Sequence, residues 1–315
     1  MKFEDRYAVV CNEQVAGFTR KFDPCLYNTP EFIALKEGYK PVNCYLLDNK
    51  EKCILIDTTF LCHDLIAISL PRAPFGGISY RQASIRLLKH FIKNVIRYFI
   101  SENFKKIIIK SPADFFNPAQ NAIVANCLAN AGFTVCNFDI NHHLDVDQSG
   151  FSEKIHKMEV RKLRKSSTNK LDFEAVPIGS MPEVYNFIRV CRDEKKVPIN
   201  ITFDELRQAT EKFPQNYKFF TVVSEGTIVA ATIAVLVRED VLYNYLPASL
   251  TAYNKLSPMV FLLSELYKYC QLTDVRMLDL GISTIDNKPQ ESLILFKERV
   301  GGKATLKLTF QLNLF

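Results

Sequence analysis

The sequence predicts a mixed α/β fold in which one plan of strands and helices is used twice. In each half, apolar strand runs joined by short polar turns come first, and a helix, a strand and a second helix follow. A glycine then precedes a long strand, Gly132 in the first half and Gly301 in the second. We therefore expect two related domains, at residues 1–148 and 149–315. The alternative is that the two halves share this order of strands and helices by chance, because the order is a common one.

Apolar periodicity and turn residues place the elements of the first half. Thr29 can cap a short helix that starts at Pro30. Apolar side chains recur with helical periodicity over residues 81–100, which predicts a long helix there. The other predicted elements are a helix at residues 118–130 and strands at 43–47, 53–56, 65–70, 106–109 and 133–144.

The second half shows the same order of elements. A basic helix is expected over residues 151–166, and short polar connections predict a meander of three strands at 219–223, 227–237 and 242–246. The last strand is predicted from strict alternation of apolar and polar residues over 303–314. The remaining elements are strands at 171–176 and 276–280 and helices at 181–191, 202–212, 258–269 and 290–299.

Composition and missing patterns exclude several classes of protein. The net charge of +6 is weak evidence for an anionic partner. No run approaches the roughly 18 uninterrupted apolar residues that a membrane span needs, and no signal peptide begins the chain, so we expect a cytoplasmic protein without membrane insertion. None of the nine cysteines forms a C-x-x-C pair, which is typical of reduced thiols.

The catalytic motifs of several enzyme classes are absent. The five histidines show no zinc-ligand spacing, so no metal is expected. The sequence contains no G-x-S-x-G elbow, no Walker loop and no G-x-G-x-x-G pattern, which argues against a hydrolase, a kinase or a dehydrogenase. No feature indicates a DNA partner, and the sequence does not determine the oligomeric state.

Three segments carry a resemblance to a known family. They are the loop at residues 69–77, the basic stretch at 157–165, and the strand end Leu280-Gly281 followed by a helix with Phe296-Lys297 and the pair Gly301-Gly302. With the order of elements, they resemble the GNAT acyltransferase fold. Two copies in one chain resemble the FemAB-like branch of that superfamily, over residues 30–312.

The resemblance implies an N-acyltransferase that uses acyl-CoA or aminoacyl-tRNA as a co-substrate, with no tightly bound cofactor. The acceptor would be an amine, such as a cell-envelope sugar or peptide precursor, and tRNA would be a partner. Ordinary acetyl-CoA enzymes of this fold hold the pyrophosphate with a glycine-containing loop, but the matching residues 248–258 contain no glycine. This difference favours an aminoacyl-tRNA or another acyl carrier as the donor.

Four residues are candidates for catalysis. The resemblance implies that Lys297 stabilises the oxyanion formed during acyl transfer, with Phe296 packed beside it. Tyr245 could relay a proton, and Asp279 could deprotonate the acceptor amine. The structural alternatives are a solvated lysine, a half-buried strand tyrosine and a hydrogen-bonded aspartate at a strand end.

A second set of residues is expected to bind the donor and the substrate. Ser257 can cap a helix that begins at Pro258, and helix N-termini attract phosphate. The donor would therefore contact Asn254, Lys255, Leu256 and Ser257. An ordinary capped helix is the alternative.

The substrate side is expected to use Tyr243, which lies on the same strand face as Tyr245. The basic helix could neutralise phosphates through Arg161 and Lys165, although plain solvation is the usual role of such a charge run. In the first half, Arg72 could bind a carboxylate or phosphate, and Gly76 and Gly77 could allow close approach of a ligand.

A non-catalytic interpretation stays open at the level of sequence. A tandem GNAT protein that has lost donor binding could recognise RNA or a partner protein, and the missing glycine loop supports this. The decisive structural feature is whether the strands at 242–246 and 276–280 part to open a cleft beside residue 257.

Overall fold

The computed structural model of the protein describes residues 2–168 and 171–314, and of residues 167 and 168 it describes only the backbone. The helices are α1 (Phe3–Arg6), α2 (Pro30–Ile33), α3 (Ile85–Ser101), α4 (Pro118–Asn130), α5 (Phe151–Lys154), α6 (Lys157–Thr168), α7 (Met181–Glu194), α8 (Phe203–Lys212), α9 (Pro258–Leu272) and α10 (Glu291–Arg299).

The strands follow the same chain order. They are β1 (Tyr7–Cys11), β2 (Thr19–Arg20), β3 (Lys40–Asp48), β4 (Cys53–His63), β5 (Ile66–Ile68), β6 (Ser79–Tyr80), β7 (Lys106–Lys110), β8 (Thr134–Asp145), β9 (Leu171–Val176), β10 (Tyr217–Ser224), β11 (Thr227–Arg238), β12 (Val241–Asn244), β13 (Ala248–Ser249), β14 (Met277–Ile282), β15 (Thr284–Ile285), β16 (Lys288–Pro289) and β17 (Lys303–Asn313).

The first of two compact units contains Met1–Asp139 and Leu306–Phe315. Its sheet has the order β1-β3-β4-β5-β7-β17, and only the neighbours β5 and β7 in that order run parallel. The buried face of α3 packs into an apolar core with residues of the sheet and of α4, and Phe60, Phe91 and Phe99 are fully buried there. Burying these aromatic side chains is a principal source of stability for the unit.

The second unit contains Ile140–Thr305. Its sheet has the order β8-β14-β12-β11-β10-β9, in which only β12 and β14 run parallel. The apolar helix α9 lies against the meander, and Leu262, Leu266 and Tyr267 on it are fully buried. α7 packs on β10, β11 and β13. Both sheets are therefore largely antiparallel, with the parallel pair β12 and β14 in the second unit and the parallel pairs β5 with β7 and β2 with β4 in the first.

The predicted mixed α/β class with two related units is confirmed, but the division of the chain differs from the expected boundary at 148/149. The unit boundary falls after Asp139, and the end of the last strand belongs to the first unit. The reason is backbone pairing: residues 309–313 of β17 pair with β7, while β14 pairs with residues 141–145 of β8. Alternation predicts that a strand exists but does not determine its partner.

The predicted basic helix is in fact two helices. α5 ends at Lys154, and Ile155 is extended, with its side chain in the core. The second helix starts after His156, whose carbonyl accepts from the N–H groups of Glu159 and Val160 at 2.8 and 3.1 Å. Burial of Ile155 thus interrupts the helical run.

No helix in the described part of the chain is long and apolar enough to cross a membrane. Over the same residues, no group of three histidine, cysteine, aspartate or glutamate side chains is arranged to hold a metal ion.

Candidate active site at the parted strands of the second unit

The parallel strands of the second unit part in the middle of the sheet. The pairing of β12 with β14 ends at Tyr243 opposite Asp279. Two residues later, Tyr245 donates its N–H to the Ile233 carbonyl of β11 at 3.0 Å. β14 stays paired with β8 up to Ile282. The two strands therefore separate beyond Tyr243, as the donor-site hypothesis requires.

Lys297 lies at the end of β14, on the last turn of α10. Its side chain is only 6% exposed, and its Nζ donates to the carbonyls of Gly281 and Ile282 at 2.8 Å each. Burial lowers the pKa of this ammonium to about 7, and the charge of Asp279 opposes that shift. Phe296, beside it, packs against the core of the unit. The structure therefore rules out the alternative of a solvated surface lysine.

Asp279 is a buried carboxylate that holds the backbone of β14. Its Oδ1 accepts from the Asn141 side-chain amide and from the Gly281 N–H, both at 2.8 Å. The pairing with β8 shifts register between Asp279 and Gly281, and Gly281 has a φ of +73°. These contacts match the structural alternative, in which the aspartate is hydrogen-bonded at a strand end. Its charge also favours the protonated form of Lys297.

The glycine pair after α10 fixes the position of the helix. Gly301 has a φ of +87°, and a Cβ there would lie 2.8 Å from the Lys154 carbonyl oxygen. A Cβ on Gly302 would lie 2.7 Å from the carbonyl oxygen of Lys297 itself. The Gly302 N–H donates to that oxygen at 2.8 Å. The two glycines thus allow the chain to turn closely around the backbone of Lys297.

A buried histidine lies near the lysine. The His142 side chain is completely buried, its Nδ1 is 3.0 Å from the Ser283 hydroxyl, and its Nε2 has no hydrogen-bond partner among the described residues. Burial lowers the pKa of His142 to about 4, and the charge of Lys297 lowers it further. The imidazole is therefore neutral at neutral pH, which avoids a second positive charge beside Lys297.

Tyr243 and Tyr245 lie at the point where the strands part. Their ring centroids are 5.5 Å apart. The Tyr243 ring covers Gly281, since a Cβ there would lie 3.2 Å from Cε2 of the ring. Burial raises the pKa of Tyr245 to about 12 and raises the pKa of Tyr243 as well. Both phenols are thus neutral hydrogen-bond donors at physiological pH.

The expected donor loop forms a short 3-10 helix, Thr251–Leu256, before α9. The side chains of Asn254 and Lys255 are exposed, and those of Leu256 and Ser257 are partly buried. α9 begins at Pro258, as predicted.

The predicted capping role of the Ser257 side chain is wrong. Ser257 is the residue before the helix, but its φ of +56° is left-handed and its side chain makes no capping hydrogen bond. Its carbonyl accepts instead from the N–H groups of Val260 and Phe261 at 3.1 and 3.2 Å. A left-handed residue points its side chain away from the N–H groups that a cap must reach.

The basic helix lies beside this loop within the second unit. The Ser166 hydroxyl donates to the Leu256 carbonyl at 2.9 Å, and α6 packs against α9. Arg161 and Lys165, on the same helix, are exposed. The structure therefore brings together the two segments that were expected to meet an anionic donor.

Gly76 and Gly77, in the loop of the first unit, lie close to backbone atoms of neighbouring segments. A Cβ on Gly76 would lie 2.7 Å from the Ser69 carbonyl oxygen, and the Gly76 N–H donates to the Lys110 carbonyl at 3.0 Å. Gly77, with a φ of +76°, lies against the same strand end. The loop thus fills the place where β5 and β7 part, and this packing accounts for both glycines. Arg72, in the same loop, is exposed and left-handed, with a φ of +56°.

Four polar residues near the site were missed at the level of sequence: Asn141, His142, Arg192 and Ser283. For Arg192 a signal existed. It falls four residues after the buried Ile188 of α7, on the shoulder of the apolar face, where a charge is unusual. No local pattern marked Asn141, His142 or Ser283, because pairing between strands that are distant in sequence brings these residues close to Lys297.

Comparison with known proteins agrees with this geometry. The family described as "Acetyltransferase (GNAT) domain" matches residues 198–288. No curated protein is a significant match to the sequence.

Solved structures extend the likeness over nearly the whole chain. The structure of FemX covers 91% of this chain and 91% of its own, with a TM-score of 0.70 and 10% identity. The C-terminal domain of a putative lysylphosphatidylglycerol synthetase from Agrobacterium fabrum covers 82% of this chain and 81% of its own, with a TM-score of 0.56 and 11% identity. A tandem GNAT protein from the clavulanic acid biosynthesis pathway covers 95% of this chain and 90% of its own, with a TM-score of 0.54 and 8% identity.

The matched residues 198–288 contain the meander, the parted strands and the expected donor loop. At these identities the solved structures establish the fold alone, and the family match is to residues 198–288. Residues 198–288 thus resemble the GNAT acetyltransferase domain, and the chain as a whole shares its fold with FemX and with a tandem GNAT protein.

Proposed function

We propose that the second unit transfers an acyl or aminoacyl group from an activated donor to an amine, with Lys297 as the cation that stabilises the oxyanion. The observation that carries this is the position of Lys297. A buried ammonium is held by two carbonyls at the end of β14, next to the place where β12 leaves that strand. Two of its three N–H bonds are used, so the third can donate to a ligand.

The reaction needs a fixed positive charge at this place. The acceptor nitrogen attacks the carbonyl carbon of a thioester or an ester, and the electron pair of the C=O bond moves to oxygen. The oxyanion then collapses, the bond to the thiol or hydroxyl leaving group breaks, and the leaving group accepts a proton released by the amine. A preorganised donor at the developing oxyanion is often worth about 3–4 kcal/mol of barrier.

The charges of its neighbours favour a protonated Lys297 side chain, as this role requires. Asp279 favours the charged ammonium, and the neutral His142 adds no competing charge. We assign Asp279 this electrostatic role in place of a general base, because its Oδ1 is occupied by two hydrogen bonds at 2.8 Å. Tyr245 would serve as a neutral hydrogen-bond donor, since its raised pKa disfavours proton relay through a phenolate.

The donor would lie along the loop before α9. Lys255 and the exposed cations of α6, Arg161 and Lys165, provide positive charge on neighbouring segments of one unit. Such charge suits the phosphates of either coenzyme A or tRNA. The left-handed Ser257 and the absence of glycine distinguish this loop from a glycine-rich pyrophosphate loop, which favours an aminoacyl-tRNA donor.

The acceptor is an amine, and on the FemAB-like likeness we propose an amino sugar or peptide precursor. Tyr243 would contact it, since its ring covers the backbone at which Lys297 binds. Arg72, on the first unit, stays a separate candidate for binding a carboxylate or phosphate.

The test compares Lys297→Ala with Lys288→Ala, an exposed lysine that precedes the same helix. Transfer is assayed from acyl-CoAs and from charged tRNA to a panel of amines, and donor binding is followed by thermal shift. We expect Lys297→Ala to lose about 100-fold or more in turnover with donor binding retained, and Lys288→Ala to retain activity.

Two results contradict the proposal. The first is equal turnover of Lys297→Ala and the parent protein. The second is a strong, salt-dependent affinity for uncharged RNA with no turnover from any donor, which would support a binding role.

A further inference from the structure

Two cysteine residues lie opposite each other on neighbouring strands of the first unit, and the proposed transfer reaction uses neither. Cys11, the last residue of β1, is the direct partner of Cys44 in the antiparallel pairing with β3. Both thiols are free; the Cys44 side chain is 0% exposed, and that of Cys11 is half-buried. In the described part of the chain, no other two cysteines are opposite each other in a strand pair.

Backbone hydrogen bonds show how close the two residues are. In an antiparallel ladder, hydrogen-bonded pairs alternate with non-hydrogen-bonded pairs, whose Cα atoms are about 4.5 Å apart. The Asn12 N–H donates to the Asn43 carbonyl at 2.8 Å, so these two residues form a hydrogen-bonded pair. The adjacent pair, Cys11 with Cys44, is therefore a non-hydrogen-bonded pair, which is the closer kind.

The other end of the same strand pair has the same register. The Asn49 N–H donates to the Arg6 carbonyl at 2.8 Å, and this bond continues the alternation. The Arg6 guanidinium also binds the Asp48 carboxylate, with Nε and Nη2 at 3.1 and 2.8 Å from Oδ2. All five residues of β1 pair with β3 without a bulge. The alignment of the two cysteines is thus fixed by the whole length of the strand.

The two thiols also lie on the same face of the sheet. Cys44 belongs to the apolar core beneath α3, and Cys11 packs against that core. Burial raises the pKa of the Cys44 thiol, and the Cys11 thiol, as its hydrogen-bond partner, raises it further. Disulfides join residues whose Cα atoms are about 4.4–6.8 Å apart, and a non-hydrogen-bonded strand pair falls in this range. A bond between the two sulfur atoms therefore needs no change in the strand pairing.

We propose that Cys11 and Cys44 form a redox-active dithiol that a peroxide oxidises to a disulfide. The thiolate of the half-buried Cys11 attacks one oxygen of hydrogen peroxide, the O–O bond breaks, hydroxide leaves, and a sulfenic acid forms. The Cys44 sulfur then attacks the Cys11 sulfur, and the S–O bond breaks. The departing hydroxyl takes the Cys44 proton and leaves as water. Two thiols thus lose two electrons and two protons, and the peroxide becomes two molecules of water.

The disulfide would close a loop that reaches another part of the first unit. The chain between the two cysteines contains Asn28, whose side-chain amide donates to the Gly76 carbonyl at 3.0 Å and to the Ser79 hydroxyl at 2.8 Å. Closing this loop reduces the freedom of the unfolded chain, so oxidation should raise the thermal stability of the protein. The inference concerns the first unit and does not depend on the proposed transfer reaction.

The experiment maps disulfides in the full-length protein after treatment with hydrogen peroxide. Free thiols are blocked with N-ethylmaleimide in denaturant, and a tryptic digest is analysed by mass spectrometry without reduction. Trypsin releases Cys11 in a peptide of residues 7–20 and Cys44 in one of residues 37–50. The variants are Cys11→Ser and Cys44→Ala. The control is Cys136→Ser, which removes a thiol that is likewise half-buried on a strand.

We expect the two peptides to be joined by a disulfide in the oxidised parent protein and in Cys136→Ser, and to separate on treatment with dithiothreitol. The Tm of the oxidised parent should exceed that of Cys11→Ser, treated in the same way, by about 5 °C or more relative to the reduced forms. Neither Cys11→Ser nor Cys44→Ala should form the linked peptides. Cys11→Ser changes a half-buried position, so it provides the test even if Cys44→Ala does not fold.

Three outcomes would overturn the inference. Recovery of Cys44 as the N-ethylmaleimide adduct, with Cys11 oxidised to a sulfinic acid, would show that the second thiol does not react with the first. A disulfide from either residue to a different cysteine would exclude this pair. Linked peptides with an unchanged Tm would contradict the closure of the loop in the folded protein. None of these results bears on the Lys297 test, so the two proposals fail separately.

Discussion

Replacing Lys297 with methionine should remove a pH dependence of the free energy of unfolding that the buried ammonium imposes. Burial lowers the pKa of Lys297 from 10.5 to about 7 in the folded protein. Methionine has a similar length and no charge, so it occupies the space of the lysine side chain without a proton to titrate.

The sign and the size follow from proton linkage. Between the folded and the unfolded pKa, the unfolded chain binds more protons at this lysine, so the free energy of unfolding rises with pH. The slope is about 1.4 kcal/mol per pH unit above pH 7, and the whole effect is about 5 kcal/mol by pH 10.5. Below pH 7 both states are protonated, and the contribution of Lys297 is constant.

The assay is urea unfolding of the parent protein and of Lys297→Met at a series of pH values from 6 to 9.5. We take the difference in unfolding free energy relative to its value at the lowest pH, so any constant effect of the substitution cancels. Other shifted groups, such as Lys110 with a pKa lowered by burial to about 8, are common to both proteins and cancel too.

The parent protein should gain about 2–3 kcal/mol relative to the variant between pH 7.5 and 9.5. Lys288→Met, at an exposed position, should follow the parent curve at every pH. Parallel curves for the parent and Lys297→Met would show that the ammonium is not desolvated, and the electrostatic basis of the proposed site would be lost.

Three further predictions concern the same site and the loop of the first unit. Gly301→Ala should destabilise the protein by about 2 kcal/mol or more in urea unfolding, because the left-handed backbone disfavours a Cβ and that atom would lie 2.8 Å from the Lys154 carbonyl oxygen. Unchanged stability would contradict the turn geometry. Asp279→Asn should move the high-pH decline of transfer activity, expected near pH 7 as Lys297 loses its proton, to lower pH, and an unmoved decline would exclude the charge coupling. Gly76→Ala should lower the Tm of the protein by several degrees, because the new Cβ would lie 2.7 Å from a backbone carbonyl oxygen of its own loop, while an unchanged Tm would show that the loop can shift.

Much of the second unit could be predicted from local sequence. The meander is marked by its short polar connections, and α10 with its glycine pair lies within one residue of the prediction. The start of α9 at Pro258 was also predicted, because proline suits the first turn of a helix. The cap at Ser257 failed, since a left-handed serine leaves no local signal that a sequence pattern can detect.

The sequence by itself determined that β17 is a strand and that Lys297 lies on a helix just before two glycines. The single buried face predicted for β17 is wrong over its first half, since Leu306 is 46% exposed and only Phe310 is buried within the strand. Alternation and helical periodicity are local properties, and a few residues encode them. Only the tertiary structure decided that the end of β17 pairs with β7 and that the Lys297 ammonium is buried against the carbonyls of β14. These features depend on which distant segments pack together, because strand partners, desolvation and the charge around a side chain are set by neighbours far away in the chain.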